Sequence, residues 1–285
     1  MEMDQRTLSQ PNSNDKDELE IRKKLENLIS TEWAKNFFEL AKAKQAEFFK
    51  SQIDSFSKKI DPRADYLELI KDLCKHGKTQ ITSGVEHLEE LANKPFILIT
   101  NHLGTAKLSR IRLSDLSVDV QNLEEIEPFP IRVAPLQLIA EKTSLNLFEC
   151  AVELPNPFFD IQEKSDVITI PSKGNNRTKY LQEKIVSILK DNSKSLFVMY
   201  PEGGTSGKRN HGGPYDLDIF HSGSFVIAKY LQLPILPVFQ SFDSDLGFGL
   251  RLFPKIESSD LNITNLKETV EKVRLIMQDS SPKIS

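Results

Sequence analysis

The chain has 285 residues, 39% apolar and 27% charged, with a formal net charge of -4. That is the composition of an ordinary soluble globular protein with material for one large domain, or one domain and a smaller one, and it excludes any global attraction to nucleic acid or anionic lipid. Two cysteines without metal-type spacing, Cys74 and Cys150, read as reduced residues of an intracellular protein, and no run of about 18 apolar residues is present to span a bilayer.

Residues 1–18 are polar and proline-punctuated, which predicts a disordered tail. They lack the basic start and apolar block of a secretory signal. The expected location is the cytoplasm. From Leu19 apolar residues recur at helical spacing: Ile21, Leu25, Leu28 and Ile29, then Trp33, Phe37, Leu40 and Ala41. Phe48, Phe49, Ile53 and Phe56 extend the stripe until Asp61 and Pro62 interrupt it. Tyr66, Leu67, Ile70 and Leu73 mark a second helix ending near Gly77, and Val85, Leu88 and Leu91 a third. Residues 19–92 therefore read as an all-helical N-terminal region whose aromatic stripe packs into a core.

After Asn93 the pattern changes. Short apolar runs at 96–100, 131–135, 148–154, 166–170, 195–200, 235–239 and 251–254 read as strands. Helical patterns lie between several of them, around Tyr180 to Leu189, Phe225 to Leu231 and Leu266 to Ile276. The expected fold is α/β, a mixed and mostly parallel sheet covered by helices, occupying residues 93–285.

The chemistry concentrates at two strand ends. Asn101 and His102 follow "FILIT", and "PEGGTSGKR" follows "SLFVMY". The second stretch offers glycine amides, Lys208 and Arg209 to an anion. It is not a nucleotide P-loop, since only three residues separate Gly203 from Gly207 and Arg209 follows Lys208 where Ser or Thr is required. Nor is Ser206 a hydrolase nucleophile, because Gly-x-Ser-x-Gly is not satisfied. No cluster has metal-ligand spacing, and no basic stripe with interleaved aromatics points to nucleic acid. His211 reads as solvent-facing in a glycine-rich loop, and His221 as part of a helix start. Ligands of α/β sheets bind at strand ends, so His102 and Glu202 are expected within about 10 Å of each other, on neighbouring strands.

Asn101-His102, the Pro201-Glu202-Gly203-Gly204 block and the "LPILPVF" strand, in this order over residues 93–240, resemble the glycerolipid acyltransferases. That family includes the glycerol-3-phosphate and lysophosphatidate enzymes. The helical N-terminal region is most similar to the soluble plastid type of glycerol-3-phosphate acyltransferase, which would place the chain in the plastid stroma if a transit peptide has been removed. The resemblance implies transfer of a fatty acyl group from acyl-CoA or an acyl carrier protein to a phosphate-bearing or lipid acceptor. It implies no bound cofactor and at most peripheral membrane contact. His102 would be the general base, a role suited to its ordinary pKa, with Glu202 beside it. Gly203, Gly204 and Thr205 would shape the acceptor site, and Lys208, Arg209, Lys173 and Arg177 would hold the acceptor's phosphate.

Two positions depart from the family's pattern. Its aspartate falls at Lys107, and its arginine after the glycine block falls at Thr205. A carboxylate partner fixes a base histidine's tautomer and stabilises its imidazolium, whereas a lysine opposes the charge. Three outcomes follow: Glu202, Asp216 or Asp218 serves His102 instead; Lys107 pairs with an acidic acceptor; or the chain is a catalytically impaired relative that binds acyl chains or lipid.

Overall fold

Two mainly apolar pentapeptides, Phe96–Thr100 (β2) and Ser195–Met199 (β7), are buried at every position. They lie side by side and parallel, Ile97 opposite Phe197 and Ile99 opposite Met199. Strands covered on both faces carry such unbroken runs. The computed structural model of the chain describes residues 20, 23–54, 62–121, 123–171, 176–210 and 212–282. Among these, β2 and β7 are the centre of a seven-stranded sheet in the order β1-β9-β8-β2-β7-β5-β6. The other strands are β1 (Gln80–Ser83), β5 (Asn146–Val152), β6 (Ile168–Ile170), β8 (Ile235–Asp243) and β9 (Gly247–Leu252). All pairings are parallel except the β8–β9 hairpin. A two-stranded ribbon of β3 (Ile111–Arg112) and β4 (Glu125–Ile126) stands apart.

Helices α1 (Glu32–Asp54) and α2 (Pro62–His76) supply the aromatic stripe, and it is core. Trp33 stacks on Phe37 and on Phe242 of β8 at 5.9 and 6.1 Å. Phe49 meets Phe129 and Phe158 edge-on at 5.5 Å each. No described helix is long and apolar enough to cross a membrane. The expected tail at 1–18, and Ile21, Phe56 and Asp61, lie outside the described residues.

Two segments differ from expectation. Residues 131–135, read as a strand, form helix α3 (Pro130–Val133) and a 3-10 turn, Ala134–Leu136. Five apolar residues suit either state, and Pro130 at the first helical turn favours the helix because its fixed φ and missing N–H cost nothing there. Within the segment expected to be all helical, Gln80–Ser83 is the edge strand β1, paired with Gly249–Arg251. Its β-branched Ile81 and Thr82 are residues that fit a largely exposed edge strand. Further helices are α4 (Gln137–Thr143), α5 (Phe158–Lys164), α6 (Arg177–Asp191), α7 (Gly223–Leu231) and α8 (Leu266–Asp279).

Candidate active site

Where β2 ends, Asn101 is fully buried and its side chain extends the sheet. Its Oδ1 accepts from the Gln240 N–H at 2.7 Å, and its Nδ2 donates to the Gln240 carbonyl at 3.0 Å. The Asn of the Asn-His pair thus locks β2 to β8 and sets the exit angle of His102. Gly104 follows with φ of 77°, and a Cβ there would sit 2.7 Å from Thr205 Cγ2. Only glycine meets both demands, the left-handed backbone and the close approach. This is where the two motif loops touch.

Glu202 joins them. Its Oε1 accepts from the His102 backbone N–H at 3.1 Å and from Ser206 Oγ at 2.7 Å, and its Oε2 accepts from the Asp218 N–H at 2.8 Å. Burial pushes its carboxyl up to about 7, while these three donors pull the other way. The expected neighbourhood of His102 and Glu202 is present, on adjacent strands, but Glu202 holds the histidine's backbone rather than its ring. A Glu202→Gln variant would turn an acceptor oxygen into a donor facing donors. It should cost about 1–3 kcal/mol, read as a lower urea midpoint.

The His102 ring opens on a cavity of about 1030 Å³ beyond the carboxyl ends of β5, β6 and β7. Its lining is mixed, with apolar Leu154, Ile170, Leu181, Met199 and Ile227 and charged Arg110, Glu127, Arg132 and Arg177. The ring lies tilted against Tyr200 at 5.1 Å between centroids. Its Nδ1 is shut away from solvent without a hydrogen-bond partner, which leaves Nε2 as the nitrogen a substrate reaches. Burial lowers the imidazole's pKa to about 3, Arg132 and Lys107 lower it further, and Glu127 opposes them. The ring is neutral at pH 7.

Around it run two ion-pair groups. Lys107, 3% exposed, places Nζ 2.8 Å from Glu127 Oε1, and Arg110 Nη2 meets the same oxygen at 2.7 Å. Burial raises the Glu127 pKa, but Lys107 and Arg110 outweigh it and hold the group ionised below the usual carboxylate range. Arg132 donates through Nε to Glu149 Oε1 at 2.6 Å, with Glu149 fully buried. Tyr200 donates its hydroxyl to the same oxygen at 3.3 Å. The N-terminal helices aim Arg132: Gln45 of α1 accepts the Ile131 N–H at 2.9 Å, and Phe129 is packed by Phe49 and Tyr66 at 5.5 Å each.

No protein-family model matches this chain, and no curated protein does. Among solved structures it is similar to the 1-acyl-sn-glycerophosphate (LPA) acyltransferase PlsC from Thermotoga maritima. The identity is 16% and the TM-score 0.47, over 86% of this chain and 93% of that one.

Of the residues expected at the site, His102, Gly203, Gly204 and Arg177 line the cavity, and Glu202, Thr205, Lys208 and Arg209 do not. Thr205 is buried against Gly104. Arg209 lies outside, with Nη1 3.0 Å from His221 Nε2, and it is His221 that lines the cavity. Lys173 and His211 lie outside the described residues. The acids expected to rescue His102 are otherwise engaged: Asp218 accepts from the Arg209 and Asn210 N–H groups, and Asp216 from the Gly213 N–H. Ser206 spends its hydroxyl on Glu202.

Arg132, Glu127, Glu149 and Tyr200 escaped the sequence reading. Arg132 was hidden by taking 131–135 for a strand. Glu127 had an indirect signal, because a lysine placed just after a buried strand needs an acid somewhere to accompany it.

Proposed function

We propose that this chain transfers an acyl group from a thioester, acyl-CoA or an acyl carrier protein, to a hydroxyl of a glycerol-phosphate-like or other lipid acceptor. The observation behind this reading is an imidazole at a central strand end that lines a cavity together with both apolar side chains and arginines. A site of that size and mixed lining suits a chain with a polar head. His102 Nε2 takes the acceptor's proton as its oxygen attacks the thioester carbonyl. Collapse of the tetrahedral intermediate expels the thiolate, and the imidazolium returns the proton to it. The products are an ester and a free thiol. Nδ1 holds the ring proton throughout. The expected residence is the cytoplasm, or the plastid stroma.

One observation favours a second reading, an acyl- or lipid-binding module without turnover. Base catalysis works best with a pKa near the working pH, and burial with two nearby cations takes His102 far below it. One experiment separates the two. Acyl-CoA and acyl carrier protein thioesters are offered with a panel of glycerol phosphates, lysolipids and neutral alcohols, and free thiol is followed. Acceptor-dependent thiol release supports transfer. Saturable binding of the thioester without thiol release from any pair sinks it in favour of the binding module.

A further inference from the structure

The charges about the cavity do not balance in the same way on both sides. Lys107 and Arg110 converge on one oxygen of Glu127. Arg132 stands differently. It is clamped through Nε alone, and its two terminal nitrogens hydrogen-bond to none of the described residues. The side chain keeps 20% of its surface exposed while its partner Glu149 has none, and the exposed part lines the cavity. A guanidinium held at Nε with its outer edge unoccupied presents a fork that matches two oxygens of a phosphate or carboxylate. Glu149 and Tyr200 pre-position that fork, so little rotamer freedom is lost when an anion arrives.

The fork and the imidazole also share a support. The Arg132 guanidinium carbon lies 5.5 Å from the Tyr200 ring centroid, and the His102 ring lies 5.1 Å from the same centroid. We propose that Arg132 is the oxyanion receptor of this cavity, and that an anion seated on it turns His102 from an idle imidazole into a working base. This rests on the acyl-transfer reading for its purpose but not for its test.

The charged and titratable groups near His102 are Lys107 and Arg110 on the turn after β2, Glu127 after β4, Arg132 on α3, Glu149 on β5, and Tyr200 and Glu202 after β7. Lys107 and Arg110 are already met by Glu127. Arg132 is met by Glu149 at its inner edge only, and after burial it is the strongest influence holding the imidazole neutral. A phosphate monoester on the outer edge offsets that positive field and adds negative charge of its own, and both effects favour the imidazolium that forms as His102 takes a proton. The acceptor thereby brings the base to strength only when it is in place. A thioester bound alone meets a base too weak to activate water, which limits wasteful hydrolysis.

The shared ligand chemistry is an oxyanion, from a phosphate group or a carboxylate, and two probes separate them. His102 is followed by long-range ¹H–¹⁵N NMR of the labelled protein, its signals assigned by their loss in His102→Gln. Inorganic phosphate or acetate is titrated in at constant ionic strength. The expected result is saturable binding of one probe with a rise in the His102 pKa of about one unit or more. Because Arg132→Gln alone strands a buried Glu149, the comparison is the neutral pair Arg132→Gln with Glu149→Gln. It should bind the probe about tenfold to a hundredfold more weakly, the loss expected for charge-assisted hydrogen bonds, and its His102 should titrate higher without ligand and stay there with it. Equal affinity in that double variant overturns the proposal. So does binding that leaves His102 unmoved, or a loss of affinity on Lys208→Ala with Arg209→Ala in place of Arg132. None of these outcomes requires turnover, so they are independent of whether thiol is released.

Discussion

His102→Ala is expected to lower acceptor-dependent thiol release by about 10²–10⁴-fold, the usual contribution of a positioned general base, while leaving the fold in place. The ring makes few structural commitments. It has no side-chain hydrogen bond at Nδ1, and the contact to Glu202 runs through the backbone N–H, which alanine retains. A loss confined to turnover, with the thioester still bound, identifies the ring as the proton acceptor. Undiminished thiol release would make His102 structural and defeat the mechanism with the fold untouched.

The same variant should change how stability responds to acid. Between the ordinary histidine value of 6.5 and the folded value of about 3, the unfolded chain binds a proton that the folded chain refuses. Stability therefore falls as pH drops through that window. Each pH unit of such a difference is worth about 1.4 kcal/mol at most. Glu202 acts in the opposite sense, since burial raises its folded value to about 7 from 4.5, so it weakens the fold as pH rises through that range. Urea midpoints of wild type and His102→Ala, compared at pH 7 and pH 5, isolate the histidine because Glu202 is common to both. The variant's midpoint should fall less on acidification. An identical fall in both proteins would mean that the imidazole is already protonated at pH 5.

Lys107→Asp should destabilise the chain by about 3–5 kcal/mol, the cost of breaking a buried ion pair. Lys107 is buried and its ammonium lies 2.8 Å from Glu127. An aspartate there leaves a void where the lysine stem ran and turns a second carboxylate toward the first. This is the residue that the acyltransferase resemblance would have restored, and the structure argues that restoring it alone does harm. Exchanging the charges, with Lys107→Asp and Glu127→Lys together, should recover part of the loss through the coupling of neighbouring sites. Denaturation midpoints of both singles and the double decide it. A Lys107→Asp protein as stable as wild type would show that the Lys107–Glu127 pair does not hold the site together.

The strand ends at His102 and Glu202 were legible because both follow runs of four consecutive apolar residues, and such runs belong to strands buried on both faces. Local grammar located them, and the rule that ligands meet α/β sheets at strand ends put them beside each other. The same grammar failed at residues 131–135. A five-residue apolar run has too short a period to distinguish helix from strand, and the decision fell to Phe129, packed under Phe49 and Tyr66, and to Gln45 capping the Ile131 N–H. With α3 misread, Arg132 had no route to the cavity.

The cations of the glycine loop show the converse. Lys208 and Arg209 follow the glycines so closely that the sequence makes them a cradle, yet Arg209 stands behind His221 and does not line the cavity, and the arginines that do come from elsewhere in the chain. What the sequence by itself determined is the α/β architecture, the central strands and the histidine at the end of one of them, because burial and periodicity act over a few residues. Which carboxylate answers Lys107, which arginine faces the cavity and how basic His102 is were decided only in the tertiary structure. Charges interact through space, and residues such as Lys107 with Glu127, or Arg132 with Glu149 and His102, become neighbours only when the helices close over the sheet.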